Sequence, residues 1–194
     1  MPETELSDSE LIKAFGEGNH AAFETLYYRY RRQLYGFLSN LIPGNPAEVD
    51  EVFEETWLRV IEKLPKYRDD GKFSAWLFRV SRNLFIDRIR RSRPPGGGML
   101  ALDAEETPEI AGPASMSPER ELDSAELEQV ISDAVGKLPP EQREVFLLRQ
   151  QELPFRDIAV IQQCSINTVL GRMQYALRSL RKLIRAVDHG GIMK

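Results

Sequence analysis

Cysteine is almost missing from this sequence: Cys164 stands alone among 194 residues. No disulfide can form within the chain, which suits a reducing compartment. Histidine is nearly as scarce, and His20 and His189 lie at opposite ends. No metal-ligand spacing, no Ser/His/Asp grouping and no glycine-rich phosphate loop is present. Gly96-Gly97-Gly98 follows two prolines rather than a strand and reads as linker. No apolar run approaches the roughly 18 residues that a membrane span needs. The first ten residues are acidic and polar, without the basic and apolar regions of a secretory signal. Sustained apolar/polar alternation is absent, so no strand is expected, and there is no internal repeat. The expectation from these absences is a cytoplasmic protein with no membrane contact of its own, no cofactor, no metal and no catalytic activity.

What is present is enough hydrophobic residue, 42%, to build packed cores. The net charge of -4 argues against a chain that coats nucleic acid indiscriminately. That average hides segregation. Lys72, Arg79, Arg82, Arg88, Arg90, Arg91 and Arg93 crowd one stretch against the single acid Asp87. Arg172, Arg178, Arg181, Lys182 and Arg185 form a second basic stretch with no acid. Acids concentrate in residues 1–24, 48–62 and 103–128. Opposite blocks fit different partners for different surfaces, or simply solvated helix faces.

Helical periodicity runs from residue 8 to 91. A short helix near Ser9–Gly16 carries Leu11, Ile12 and Phe15 on one face, and Asn19 caps a second helix that Pro43-Gly44-Asn45-Pro46 ends. A third spans about Ala47–Leu64, stopped by Pro65, and a fourth about Phe73–Arg91, stopped by Pro94-Pro95. Residues 94–118 are rich in proline, glycine and acids without a period, and read as a flexible linker. Helices follow at about 118–136, 140–150, 155–162 and 166–187, with a frayed tail from 188 to 194. The fold class expected is all-α: two small helical domains, 1–93 and 119–187, joined by a flexible linker.

In the second domain, Phe155–Ala159 opens a short helix, with small Ala159 where two helices cross and Ile158 and Ile161 inward. Gln163-Cys164-Ser165 makes a turn, with Ser165 as N-cap; Gln163 stands where glycine commonly turns the chain, at some steric cost. The next helix puts Ile166, Val169 and Met173 inside and Asn167, Thr168, Leu170, Arg172, Gln174 and Tyr175 outside. This is the pattern of a DNA-reading helix-turn-helix. The basic residues after Arg178 also suit the helix dipole.

In the first domain, the fourth helix mixes Phe73, Trp76, Phe78 and Phe85 with arginines. Trp76 and Leu77 are assigned to the core, and Phe73, Arg79, Arg82 and Asn83 to the outer face. Exposed aromatics beside cations suit single-stranded DNA, where stacking contributes roughly 1–3 kcal/mol per base. The loop Lys66–Lys72, with Tyr67, is placed to capture an extruded base. The third helix is acidic through Asp50, Glu51, Glu54, Glu55 and Glu62, with Phe53, Trp57 and Leu58 interleaved; it suits a protein partner, or simply packs its own domain.

Four runs in this order resemble the extracytoplasmic-function sigma factors. Asp50–Val60 resembles region 2.2, Phe73–Arg88 resembles regions 2.3–2.4, Leu138–Phe146 resembles the opening of region 4, and Phe155–Leu183 resembles its helix-turn-helix. The resemblance implies a polymerase specificity subunit that binds core RNA polymerase, recognises the -10 and -35 promoter elements and initiates transcription. It implies docking on the beta-prime coiled coil through Asp50, Glu51, Phe53, Glu54, Trp57 and Leu58, and a second contact with the beta flap. The -10 contacts would be Tyr67, Lys72, Phe73, Arg79, Arg82, Asn83, Arg88, Arg90 and Arg91. The -35 contacts would be Ser165, Asn167, Thr168, Arg172, Gln174, Tyr175 and Arg178. The linker acids Asp103, Glu105, Glu106 and Glu109 would lie near the RNA path, the free chain would be monomeric, and an anti-sigma factor would grip both domains. One departure stands out. The family often has Thr-Val-Lys-Ser-Arg where this chain has Thr168-Val169-Leu170-Gly171-Arg172, so a basic residue is replaced by leucine and a glycine sits inside a helix.

Two other readings compete. A conventional helix-turn-helix regulator would bind duplex DNA tightly alone and usually carries a dimer helix, which is not evident here. An enzyme would need a grouping of reactive side chains that the sequence lacks.

Overall fold

The computed structural model describes residues 6–68, 70–92 and 124–190, with the side chains of 124–128 and 185–190 excepted. The expected linker and its acids, Arg93, and the last four residues lie outside the described residues.

Local chemistry sets the helix starts. In α1 (Asp8–Gly16), Ser7 accepts from the Glu10 amide while the Glu10 carboxylate accepts from the Ser7 amide at 2.8 Å, a reciprocal capping box. These bonds hold the Glu10 carboxyl below its usual range. Asn19 caps α2 (His20–Leu41), and Asn45 caps α3 (Pro46–Lys63), whose first residue is a proline that needs no amide partner there. A single 3-10 turn, Leu64–Lys66, ends α3 at Pro65. Gly71, at φ 78°, turns the chain into α4 (Phe73–Ser92). Leu26, Leu34, Phe37, Leu38, Val52, Val60, Leu77 and Phe78 pack these four helices into one core.

The second half contains α5 (Ser124–Gly136), α6 (Pro140–Gln150), α7 (Phe155–Gln162) and α8 (Ile166–Gly190). Arg143 of α6 donates to the Val135 and Leu138 carbonyls at 3.1 and 3.0 Å, and so satisfies the orphan acceptors at the end of α5. Val145, Leu148, Ile158, Ile161, Val169, Ala176 and Leu180 form this half's core. The last helix is longer than expected: it continues through Asp188 to Gly190 rather than fraying.

All eight α-helices among the described residues follow the all-α expectation, and no strand occurs among them. The periodicity does not reveal that the two halves touch. Helix α4 packs on α7, and α2 packs on α6 and α5. A cleft between the halves is lined by Arg29, Gln33, Lys72, Glu152 and Asp157.

Candidate nucleic-acid interface

At the start of α4, four aromatic rings cluster. Phe73 is 1% exposed and packs on Tyr30 at 5.4 Å, Trp76 at 5.8 Å and Tyr67 at 6.2 Å. Trp76 and Tyr67 are half-buried, with centroids 4.6 Å apart and planes tilted by 32°. This reverses the sequence assignment. Phe73, expected outside, is core; Trp76, expected in the core, presents part of its ring beside Tyr67. The reason is position. At a helix start both the helical stripe and the preceding loop compete for the same apolar surface, and Phe73 lies against Tyr30 of α2.

The cations of α4 divide into free and engaged. Arg79 and Arg91 are exposed, and exposed Arg90 lies 3.7 Å from Asp87. Arg88 is clamped to α3, donating to Glu51 and to Glu55 at 2.9 Å; both carboxylates raise its pKa. Lys72 lies 3.7 Å from Asp157 of α7. Arg82, expected outside, is turned onto Glu144 of α6. Asn83 is half-buried.

Glu144 is 5% exposed. It receives the Arg82 guanidinium on one oxygen and the Gln162 amide at 2.7 Å on the other. Gln162 also donates to the Glu141 carbonyl at 3.1 Å, and its carbonyl oxygen accepts from Arg172 at 2.9 Å. Arg172 lies 3.6 Å from the Cys164 sulfur. Burial pushes the Glu144 carboxyl above the usual carboxylate range, with Arg82 and Gln162 pulling it back. Burial likewise raises the Cys164 thiol. A buried charge is tolerated only when paired and hydrogen-bonded. Here the pairing is made across the two halves. Sequence reasoning missed Glu144, Asp157 and Gln162. The available signal was a carboxylate one helical turn before Leu148 and an amide one turn after Ile158, both on apolar stripes.

In the turn before α8, Gln163 takes the left-handed conformation at φ 56°, ψ 42°, as the missing glycine implied. Ser165 accepts from the Thr168 amide at 3.1 Å and exchanges a hydroxyl bond with Thr168 at 2.8 Å, so it serves as the N-cap. Val169 and Ala176 are buried against α7, and Met173 and Tyr175 are half-buried. The exposed side carries Asn167, Thr168, Leu170, Gln174, Leu177 and Arg178. Two assignments are corrected. Arg172, expected outside, points back to Gln162; Ile166, expected inside, is exposed at the first residue of α8.

On α3, Asp50, Glu51 and Glu54 are exposed, and Leu58 is 68% exposed. Asp50 accepts from the Tyr35 hydroxyl at 2.8 Å. Phe53 is half-buried, whereas Trp57 is 5% exposed, among Phe23, Tyr27 and Phe53. Trp57 therefore leaves the list of docking residues: its bulk fills the core.

An acidic helix, an aromatic–arginine helix and a helix-turn-helix thus stand in one chain in that order. Residues 26–94 match the family model for sigma-70 region 2, and residues 128–180 match that for sigma-70 region 4. The chain is 28% identical over 185 residues to the ECF RNA polymerase sigma-E factor of Haemophilus influenzae, covering 93% of this chain and 97% of that one. The chain belongs to the extracytoplasmic-function sigma factors. The RNA polymerase sigma-H factor of Pseudomonas aeruginosa is also 28% identical, over 94% of this chain and 96% of its own. Among solved structures, CnrH in complex with the cytosolic domain of CnrY matches with a TM-score of 0.64 and 25% identity, covering 92% of this chain and 97% of that one. This sigma factor therefore binds core RNA polymerase and recognises promoter elements to initiate transcription.

Proposed function

We propose that the described arrangement is a closed form of this sigma factor, and that it opens to engage a promoter. The observation that carries this is the buried Glu144–Gln162 pair, which holds Arg82 of the -10 surface and Arg172 of the -35 surface at once. The two elements lie ~25 base pairs apart, roughly 85 Å at 3.4 Å per pair. Two arginines one hydrogen bond from the same carboxylate–amide pair cannot span that distance. Opening frees Arg82 and Lys72 for phosphate oxygens in place of Glu144 and Asp157.

In the open form, Tyr67 and Trp76 offer a stacking surface for unpaired -10 bases, with Arg79 and Arg82 within two turns of Trp76 and Arg90 and Arg91 further along α4 for the backbone. Phe73 supports that surface from below, Arg88 orients α4 on α3, and Asn83 flanks the strand. Asp50, Glu51, Glu54 and Leu58 form the docking surface for the beta-prime coiled coil, braced by Phe53. Asn167, Thr168, Gln174 and Arg178 read or grip the -35 duplex, while Ser165 shapes the turn and Tyr175 supports Arg178, which lies 5.9 Å over its ring. The second domain also meets the beta flap. We further infer control by an anti-sigma factor that holds the closed form, in keeping with the CnrY domain bound to CnrH. The protein works in the cytoplasm, and bond-making chemistry belongs to the polymerase alone.

The test compares wild type with Glu144→Ala as full chains. The variant alone should bind promoter duplex several-fold more tightly, while holoenzyme reconstituted from core polymerase keeps its wild-type promoter affinity. A variant with unchanged DNA binding alone would reject the closed-form reading.

A further inference from the structure

The outer stripe of α8 carries an apolar side chain where the major groove offers mostly donors and acceptors. Asn167, Leu170, Gln174 and Arg178 recur at helical spacing along the exposed side, opposite buried Val169 and Ala176. Leu170 is 38% exposed and sits between two amide side chains able to bond base edges. Its neighbour Gly171 is equally unexplained by the protein's own needs. A Cβ placed there would meet nothing within 4 Å, and its φ is not positive. A mid-helix glycine costs about 1 kcal/mol against alanine. Neither packing nor backbone conformation requires glycine there, and its missing side chain leaves this face of α8 open to close approach.

We propose that Leu170 reads the 5-methyl group of a thymine in the -35 element, and that Gly171 lets α8 sit close enough to do so. This rests on the reading of α8 as the -35 helix and deepens it. The physical reason is selectivity by elimination. Of the four natural bases, only thymine presents an apolar group in the major groove. A leucine there gains from desolvating a methyl and gains nothing from the amino and carbonyl edges. Adjacent Asn167 and Gln174 then supply the hydrogen-bonding part of the readout on flanking pairs. An apolar residue at this position contributes preference for one base and none of the sequence-independent phosphate affinity that a cation would add.

The test uses holoenzyme reconstituted with core polymerase and a promoter fragment on which it initiates. Each thymine of the -35 element is replaced in turn by uracil, which lacks only the methyl. One replacement should weaken wild-type binding about fourfold, the effect of a methyl-sized apolar contact. The same replacement should have no effect on Leu170→Ala holoenzyme, whose helix content by circular dichroism stays that of wild type. Gly171→Ala should weaken binding to the thymine fragment by about the fourfold worth of the methyl contact more than to the uracil fragment, so that the difference between them is lost. Methyl sensitivity that is absent, or that survives in Leu170→Ala, overturns the proposal while leaving α8 as the -35 helix. If scrambling the whole -35 element and Asn167→Ala with Gln174→Ala also change nothing, both this proposal and the -35 reading beneath it fall.

Discussion

Helices α4 and α8 are both basic, and both are proposed to meet DNA, yet the protein treats them oppositely. In α4 two arginines are held by other helices, Arg88 by Glu51 and Glu55 and Arg82 by Glu144, with Lys72 just before it near Asp157, while Arg79 and Arg91 are exposed. In α8 the outer stripe from Asn167 to Arg178 remains exposed, while Arg172 is turned inward. The difference follows from burial. Helix α4 is covered by α3 on one side and α7 on another, so its guanidiniums need carboxylates wherever they leave water. Helix α8 packs on α5, α6 and α7 through Val169, Ala176 and Leu180, yet its stripe from Asn167 to Arg178 stays in water. On the proposed reading, α8 stays ready to read duplex while the chain withholds the strand-separating surface of α4.

The sharpest way to break this comparison is at Phe73. Its full burial at the start of α4 predicts a loss of about 3–5 kcal/mol for Phe73→Ala, measured by urea unfolding. Leu170→Ala on α8 should change stability by less than about 0.5 kcal/mol. A small loss at Phe73 would mean that the aromatic cluster is a DNA surface rather than a core. Next in size is Arg82→Ala, which strands the buried Glu144 carboxylate at a cost of about 3 kcal/mol to the closed form. The chain escapes that cost by opening, so small-angle scattering of the free variant should show a larger radius of gyration while each half stays helical. An unchanged radius would show that apolar packing alone holds the halves together. Ser165→Ala should lower stability by about 1 kcal/mol in thermal unfolding, because the Thr168 amide loses its cap. Any loss of DNA affinity in that variant beyond its loss of folded protein would count against a purely capping role. The smallest effect is a gain: Gln163→Gly should stabilise by about 0.5–1 kcal/mol, since glycine takes the left-handed conformation without strain. A neutral or destabilising result would indicate that the Gln163 side chain does something for the turn beyond occupying it.

Helix boundaries were the most legible part of the sequence, because capping and breaking residues act locally. Asn19 caps α2, Pro43-Gly44-Asn45-Pro46 parts α2 from α3, Pro65 stops α3, and Gln163-Cys164-Ser165 makes the turn, as the sequence implies. Facing was less legible. Phe73 and Trp76 lie three apart, close enough on the helix that the pattern puts Phe73 outside and Trp76 inside, whereas Tyr30 of α2 covers Phe73 instead. Trp57 and Leu58 show the same limit: adjacent apolar residues on α3 have opposite fates, and only the presence of Phe23 and Tyr27 decides which is buried. The contact between the halves was not legible at all. Arg82 and Glu144 are 62 residues apart, and each alone reads as a solvated helix charge. A buried carboxylate on the stripe of Leu148 was the one trace of it, and that trace has meaning only once its partner is known.

The most direct test of the closed form is the distance between the two halves before and after promoter binding. Spin labels at Lys63→Cys and Lys137→Cys, both exposed positions, in a Cys164→Ser background would be read by pulsed electron resonance. A closed free chain gives one narrow distance, and holoenzyme on promoter DNA a separation longer by tens of ångströms, toward the roughly 85 Å between the elements. The same distance in both states, or a broad and already long distance in the free chain, would contradict it.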